Sequence, residues 1–138
     1  MLVRDVMTET VVTAEPSLSV RAVAQMMRER NVGSVVLLER GRPVGFITDR
    51  DVALSVVADG RDSASSAMDH ASSPVITAEP DLEVEEAGLL MIRQGVRRLV
   101  VVSGGVLIGI MTLDDLTTRG LGSELSARIM KAAQPDRF

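Results

Sequence analysis

Thr13-Ala14-Glu15-Pro16 returns 64 residues later as Thr77-Ala78-Glu79-Pro80, and the likeness continues on both sides of that stretch. Leu18, Val20 and Met27 return as Leu82, Val84 and Met91. Val32, Val36, Gly41 and Gly45 return as Val96, Val100, Gly105 and Gly109, and Thr48 and Asp51 as Thr112 and Asp115. Without a gap, 13 of the 40 positions in 13–52 are identical to their partners in 77–116, where chance gives about two or three. Upstream, Met7 matches Met68 after a three-residue insertion. The chain is a tandem duplication.

Each copy spells the same elements. Val11–Thr13 and Val75–Thr77 are short extended segments ended by Ala-Glu-Pro turns. Ser17 and Asp81 are candidate helix N-caps, and Glu83, Glu85 and Glu86 suit the positive end of a helix dipole. Leu18, Ala22 and Met26, and in the second copy Leu82, Glu86 and Leu90, recur at helical spacing, widened by Met27 and Met91; Glu86 is expected at the stripe's edge. Asn31 and Gly95 tolerate the left-handed conformation that stops a helix. Val35–Leu38 and Leu99–Val102 are unbroken apolar runs, expected as strands covered on both faces. Gly41 and Gly104-Gly105 turn the chain into second strands, Val44–Ile47 and Ile108–Met111, and another helix follows Thr48 and Thr112. The expected fold class is α/β (α+β), a β-α-β-β-α unit used twice. The repeats divide the chain into 1–60, a linker at 61–73, 74–120, and a C-terminal helix and tail at 121–138, where Leu125, Ile129 and Ala133 recur at helical spacing.

Composition narrows the function. With 138 residues, 46% of them apolar, the chain can bury a core without staples. It has no Cys, Trp or Tyr, one His and two Phe. That removes disulfides and thiolate-ligated metal, and it leaves no aromatic platform for single-stranded nucleic acid. A net charge of −4 argues against nucleic acid and anionic membrane surfaces as partners. The longest run without polar side chains, Gly104–Met111, has eight residues against the ~18 of a membrane span. Arg4 and Asp5 interrupt any apolar N-terminal leader, so a cytoplasmic location is expected.

The stretch richest in chemistry is Gly45-Phe46-Ile47-Thr48-Asp49-Arg50-Asp51, matched by Gly109-Ile110-Met111-Thr112-Leu113-Asp114-Asp115. It sets a hydroxyl at a strand end and a carboxylate one turn into a helix. A carboxylate accepts well from a vicinal diol, and the helix start favours anions, so a ribose phosphate suits the pair. The same spacing also makes a capping box, in which Thr caps the helix and the acid answers it. Both readings stand on these residues alone.

The doubled β-α-β-β-α unit with Gly-apolar-apolar-Thr-x-x-Asp in each copy resembles the tandem CBS domain, or Bateman module, over residues 4–120. The resemblance implies two repeats about a pseudo-twofold axis with adenosyl-ligand sites in the clefts between them. It implies Asp51 and Asp115 on ribose hydroxyls, Thr48 and Thr112 beside ribose or phosphate, and Arg50 and Asp114 near phosphate. Main chain around Thr10-Val11 and Pro74-Val75 would read adenine, with Val32 and Val96 on its faces. Arg97 and Arg98 would serve phosphate, whereas the first copy carries Gly33-Ser34 there, so the two sites are expected to be unequal. The implied ligand is AMP, ADP or ATP ahead of S-adenosylmethionine or NAD, with no cofactor and no metal required.

The implied role is regulatory, relaying occupancy to an effector protein. The alternative is a dimerisation or interaction protein whose Thr-x-x-Asp motifs only cap helices. No catalytic residue emerges: no nucleophile, base or metal cluster is assembled. His70, beside Asp69 in the linker, reads as solvated, and the eight Met as core. Val52, Leu54, Val56 and Val57 make one helix apolar on several sides, which suits a homodimer.

Overall fold

Two sheets of three strands carry the molecule, one per repeat. A computed structural model describes residues 1–119 and 123–132. The first elements are α1 (Val3–Val6), β1 (Thr13–Ala14), α2 (Val20–Arg30), β2 (Ser34–Glu39) and β3 (Arg42–Thr48). Then α3 (Asp49–Asp51) runs into a π-helical stretch, Val52–Ala58, followed by a 3-10 turn at Ala67–His70. The second half holds β4 (Thr77–Ala78), α4 (Val84–Gln94), β5 (Arg98–Ser103), β6 (Val106–Thr112), α5 (Leu113–Arg119) and α6 (Ser123–Ala132). The tail from residue 133, with Ala133, lies outside the described residues, as does the side chain of Leu125.

The β-α-β-β-α order is present in both copies. β1 runs parallel to β2 and β2 antiparallel to β3; β4, β5 and β6 repeat the pattern with the same register. Even the irregularity repeats, between Leu37 and Leu38 and between Val101 and Val102. Val35–Leu37 and Leu99–Val102 are buried, as unbroken apolar runs require. The helices stop at the expected left-handed residues, Asn31 (φ 53°) and Gly95 (φ 65°). They start later than the sequence suggests. Ser19 rather than Ser17 caps α2, accepting from the Ala22 amide at 3.1 Å, and Glu83 precedes α4 while Asp81 pairs with Arg4. The buried stripe turns accordingly: Val20, Val23 and Met27 are inside and Leu18 is exposed, while in α4 Val84, Ala87, Gly88 and Met91 are inside and Glu86 is exposed.

The helix after Thr48 departs from its partner after Thr112. Asp59 N–H reaches back to Leu54 O at 3.1 Å and Arg61 N–H to Val56 O at 3.0 Å, one residue beyond the α pattern. Three valines in Val52–Ala58 form an α-helix poorly, since branching at Cβ crowds the preceding turn.

Repeat order and packing order do not coincide. One compact unit is Val11–Val75; the other joins Met1–Thr10 to the chain from Ile76 onward. Residues 61–73 do not form a free linker. Ala67 N–H donates to Leu18 O at 2.8 Å, Met68 N–H to Pro16 O at 3.1 Å, and Ser72 and Phe46 exchange two backbone bonds of 2.9 and 3.1 Å. In the other unit, residues 2–8 hold the same position. Val3 N–H donates to Leu82 O at 2.8 Å, and Thr8 and Ile110 exchange bonds of 2.8 and 2.9 Å. Each sheet is therefore closed by the segment that precedes the other repeat's first strand. Gly45 and Gly109 make room for it: a Cβ at Gly45 would lie 2.9 Å from Met68 Sδ, and at Gly109 2.8 Å from Met7 Sδ and 3.0 Å from Thr8 O.

Candidate functional site

In each unit the start of the middle strand lies beside the end of the third, since Ser34 pairs with Thr48 and Arg98 with Thr112. The helix then begins under a backbone bond, Asp49 N–H to Gly33 O at 2.9 Å or Leu113 N–H to Arg97 O at 2.8 Å. Both capping boxes are closed. Thr48 Oγ1 accepts from the Asp51 amide at 3.1 Å while Asp51 Oδ2 accepts from the Thr48 amide at 2.8 Å. Thr112 and Asp115 do the same at 3.2 and 2.8 Å. Each Asp commits one oxygen to the cap; the other has no hydrogen-bond partner among the described residues. Capping thus occupies one oxygen of each carboxylate and leaves the other available.

In the second repeat a groove of about 310 Å³ opens at this junction, lined by Arg97, Arg98, Thr112, Leu113, Asp114, Thr117 and Met130. That is near the lower end of the ~300–1,000 Å³ usual for small-ligand sites. The structure brings together Arg97, Arg98, Thr112 and Asp114. Asp115 lies one turn further on, tied to Thr112, and is not part of the lining. Neither guanidinium has a hydrogen bond or ion pair among the described residues. Two unpaired, forked cations thus line the groove with two threonines and one carboxylate, Asp114, and guanidinium groups are donors suited to carboxylate and phosphate oxygens. Thr117 and Met130 carry no sequence signal, because they enter from α5 and α6, which no repeat comparison relates to the strand ends.

A family model described as the CBS domain matches residues 3–58 and 67–122. The chain belongs to the CBS-domain family. The two matched CBS segments open with the two closing segments, residues 3–6 and 67–70. A CBS domain-containing protein of Bacillus subtilis, YhcV, is 34% identical over 122 residues, covering 88% of this chain and 87% of that protein. Among solved structures, the CBS domain protein PAE2072 of Pyrobaculum aerophilum complexed with AMP is similar, with TM-score 0.77 and 29% identity over 96% of this chain and all of that one. So is a hexameric CBS-CP12 protein from bloom-forming cyanobacteria, with TM-score 0.77 and 26% identity over 87% of this chain and 68% of that one.

In the first CBS repeat, Thr48 and Asp51 stand as Thr112 and Asp115 do, with Arg50 exposed and its side chain without a partner among the described residues. Val32 is half-buried, and its counterpart Val96 is fully enclosed in its own unit's core. Thr10 and Pro74 are exposed and Val11 and Val75 half-buried, in the segments leading into β1 and β4. Among the described residues no group of three or more Asp, Glu or His is placed to hold a metal, and no helix is long and apolar enough to cross a membrane.

His70 is not solvated. It is 7% exposed, with Nδ1 2.6 Å from Ser55 Oγ and Nε2 2.7 Å from Ser65 Oγ. Ser65 Oγ donates to Asp62 O, so it accepts from Nε2–H, and Ser55 O–H donates to Nδ1. This network suits a neutral ring. Burial, aided by the Arg61 charge and opposed by Asp69, holds its pKa below the ordinary 6.5.

Proposed function

We propose that this CBS pair is a non-catalytic sensor that binds an adenine nucleotide (AMP, ADP or ATP) and passes its occupancy to an effector protein by shifting a conformational equilibrium. The observation that carries the reading is the pair of unpartnered arginines, Arg97 and Arg98, on a groove shared with Thr112. In this reading they hold phosphate, and the free oxygen of Asp115 accepts from ribose hydroxyls. Thr48, Arg50 and Asp51 form the related set of the first repeat, and the segments at Thr10-Val11 and Pro74-Val75 meet the base. The AMP complex of the Pyrobaculum relative supports an adenosyl ligand.

One observation favours a second reading, in which the motifs are caps and the chain is an interaction protein: both boxes are closed without a ligand. Calorimetric titration of two variants separates them. Asp115→Asn keeps an oxygen for the Thr112 amide but loses the charge. A charge-assisted bond contributes about 1.5–3 kcal/mol, so AMP affinity should fall roughly ten- to a hundred-fold with the melting temperature little changed. Asp51→Asn makes the same change in the first repeat and should do the same to any AMP held there. Unchanged affinity in both, or no binding by the native chain, leaves the caps-only reading.

The hexameric relative and the surface of the π-helical stretch support a homodimer. Leu54 and Val57 are 46% and 77% exposed, while Val56 is buried. Light scattering at micromolar concentration should give twice the chain mass, and Val57→Asp should return it to one; a monomeric native chain refutes the dimer.

A further inference from the structure

The two junctions share their backbone and differ in charge. Where Arg97 and Arg98 lead into β5, the first repeat has Gly33 and Ser34, and where α5 begins with the apolar Leu113, α3 begins with Asp49. Asp49 folds over the glycine: a Cβ on Gly33 would stand 3.2 Å from Asp49 Oδ2. Its other oxygen accepts from the Arg50 amide at 2.8 Å, which fixes the carboxylate there. Gly33 has no left-handed backbone, so its lack of a side chain serves this approach and not a turn. The space from which Arg97 emerges in one repeat thus holds an anion in the other. Carboxylate and phosphate repel, and no arginine at positions 33 or 34 offsets it. Arg50 is the nearby cation, on the next residue of the helix turn, and it leaves the pair neutral where the second repeat offers two cations beside Asp114.

We infer that Asp49 closes the first repeat to phosphate, so that the chain takes one phosphorylated adenosyl ligand, at Arg97 and Arg98. This rests on the nucleotide reading above and assigns its stoichiometry and a specificity-determining residue. The site in the first repeat binds AMP about 100-fold more weakly than the second, or not at all.

Calorimetric titration of the full chain with AMP, and with adenosine as the uncharged control, tests it. The expected result is one AMP per chain, lost in Arg97→Ala/Arg98→Ala. Transplanting the second junction into the first, as Gly33→Arg/Asp49→Leu, should add a second AMP. Because that double variant alters a packed corner, Asp49→Asn, which keeps the shape and removes the charge, is measured beside it and should strengthen the weak site about tenfold. Two AMP of equal affinity on the native chain, or one AMP that survives loss of both arginines, overturns the inference while nucleotide binding stands. A single native AMP with no change in Asp49→Asn overturns the role of Asp49. No binding of AMP, ADP, ATP or adenosine overturns the nucleotide reading and this inference with it.

Discussion

His70 accepts from Ser55 and donates to Ser65; a second ring proton would reverse the bond at Nδ1 and set a buried cation near the Arg61 guanidinium. The unfolded chain titrates near the ordinary 6.5 and the folded chain lower, so the unfolded state binds more protons between those values. The contribution to stability is complete above the unfolded value and drains away as pH falls through the folded one. Denaturant unfolding from about pH 7 down to 5 should show the native chain losing stability faster than His70→Gln, which has no proton to bind there. Parallel pH profiles would refute it. The sequence hides this because serine-rich surroundings look the same in a solvated loop and in a network that satisfies a buried ring. The Thr-x-x-Asp motifs are legible to the level of two roles, and the structure shows that one carboxylate has oxygens enough for both. Arg97 and Arg98 are legible as a contrast with Gly33-Ser34, whereas Asp49 is silent in the sequence because its identity matters only once its carboxylate is seen lying over the glycine.

Among elements, the strands follow the sequence closely because a run such as Leu99–Val102 needs cover on both faces wherever it lies. Helix starts do not. Ser19 caps α2 because its hydroxyl reaches the Ala22 amide, whereas Glu83 precedes α4 with no side-chain bond and the Val84 amide donates to Met1 O instead. The spacing of Ser17, Ser19, Asp81 and Glu83 does not reveal these partners. The motif glycines have a packing role that the motif itself does not spell out. At Gly109 a new Cβ meets Thr8 O at 3.0 Å, backbone held by two bonds to Ile110; at Gly45 it meets mainly the Met68 thioether and two methyl groups. A thioether swings aside and a paired carbonyl does not. Gly109→Ala should therefore cost about 1–3 kcal/mol in denaturant unfolding, and Gly45→Ala distinctly less. Equal costs would mean that the closing segments yield equally at both places.

At the scale of the whole chain, the duplication is plain from the 64-residue shift, but its wiring is not. The match of Met7 with Met68 shows that the two segments are equivalent; equivalence does not say which sheet each one closes. The chain resolves this by exchange, and the exchange makes the repeats unequal in what they need from the N-terminus. Val3 and Val6 are at most 1% exposed in the core of the second repeat's unit, and their segment supplies backbone bonds to Leu82 and Ile110. The first repeat's unit is closed from within by residues 66–72. Uncovering two valines forfeits roughly 1.5–3 kcal/mol each, a large share of the ~5–15 kcal/mol that stabilises a typical domain. Deleting residues 1–8 should accordingly strip hydrogen-exchange protection from β5 and β6, the Ile110 amide first, while β2 and β3 stay protected. AMP binding should fall with it, because Arg98 and Thr112 sit on the strands that loosen and Arg97 leads into the first of them. Uniform loss of protection across both sheets would show that the repeats unfold as one and that the exchange carries no local stability of its own.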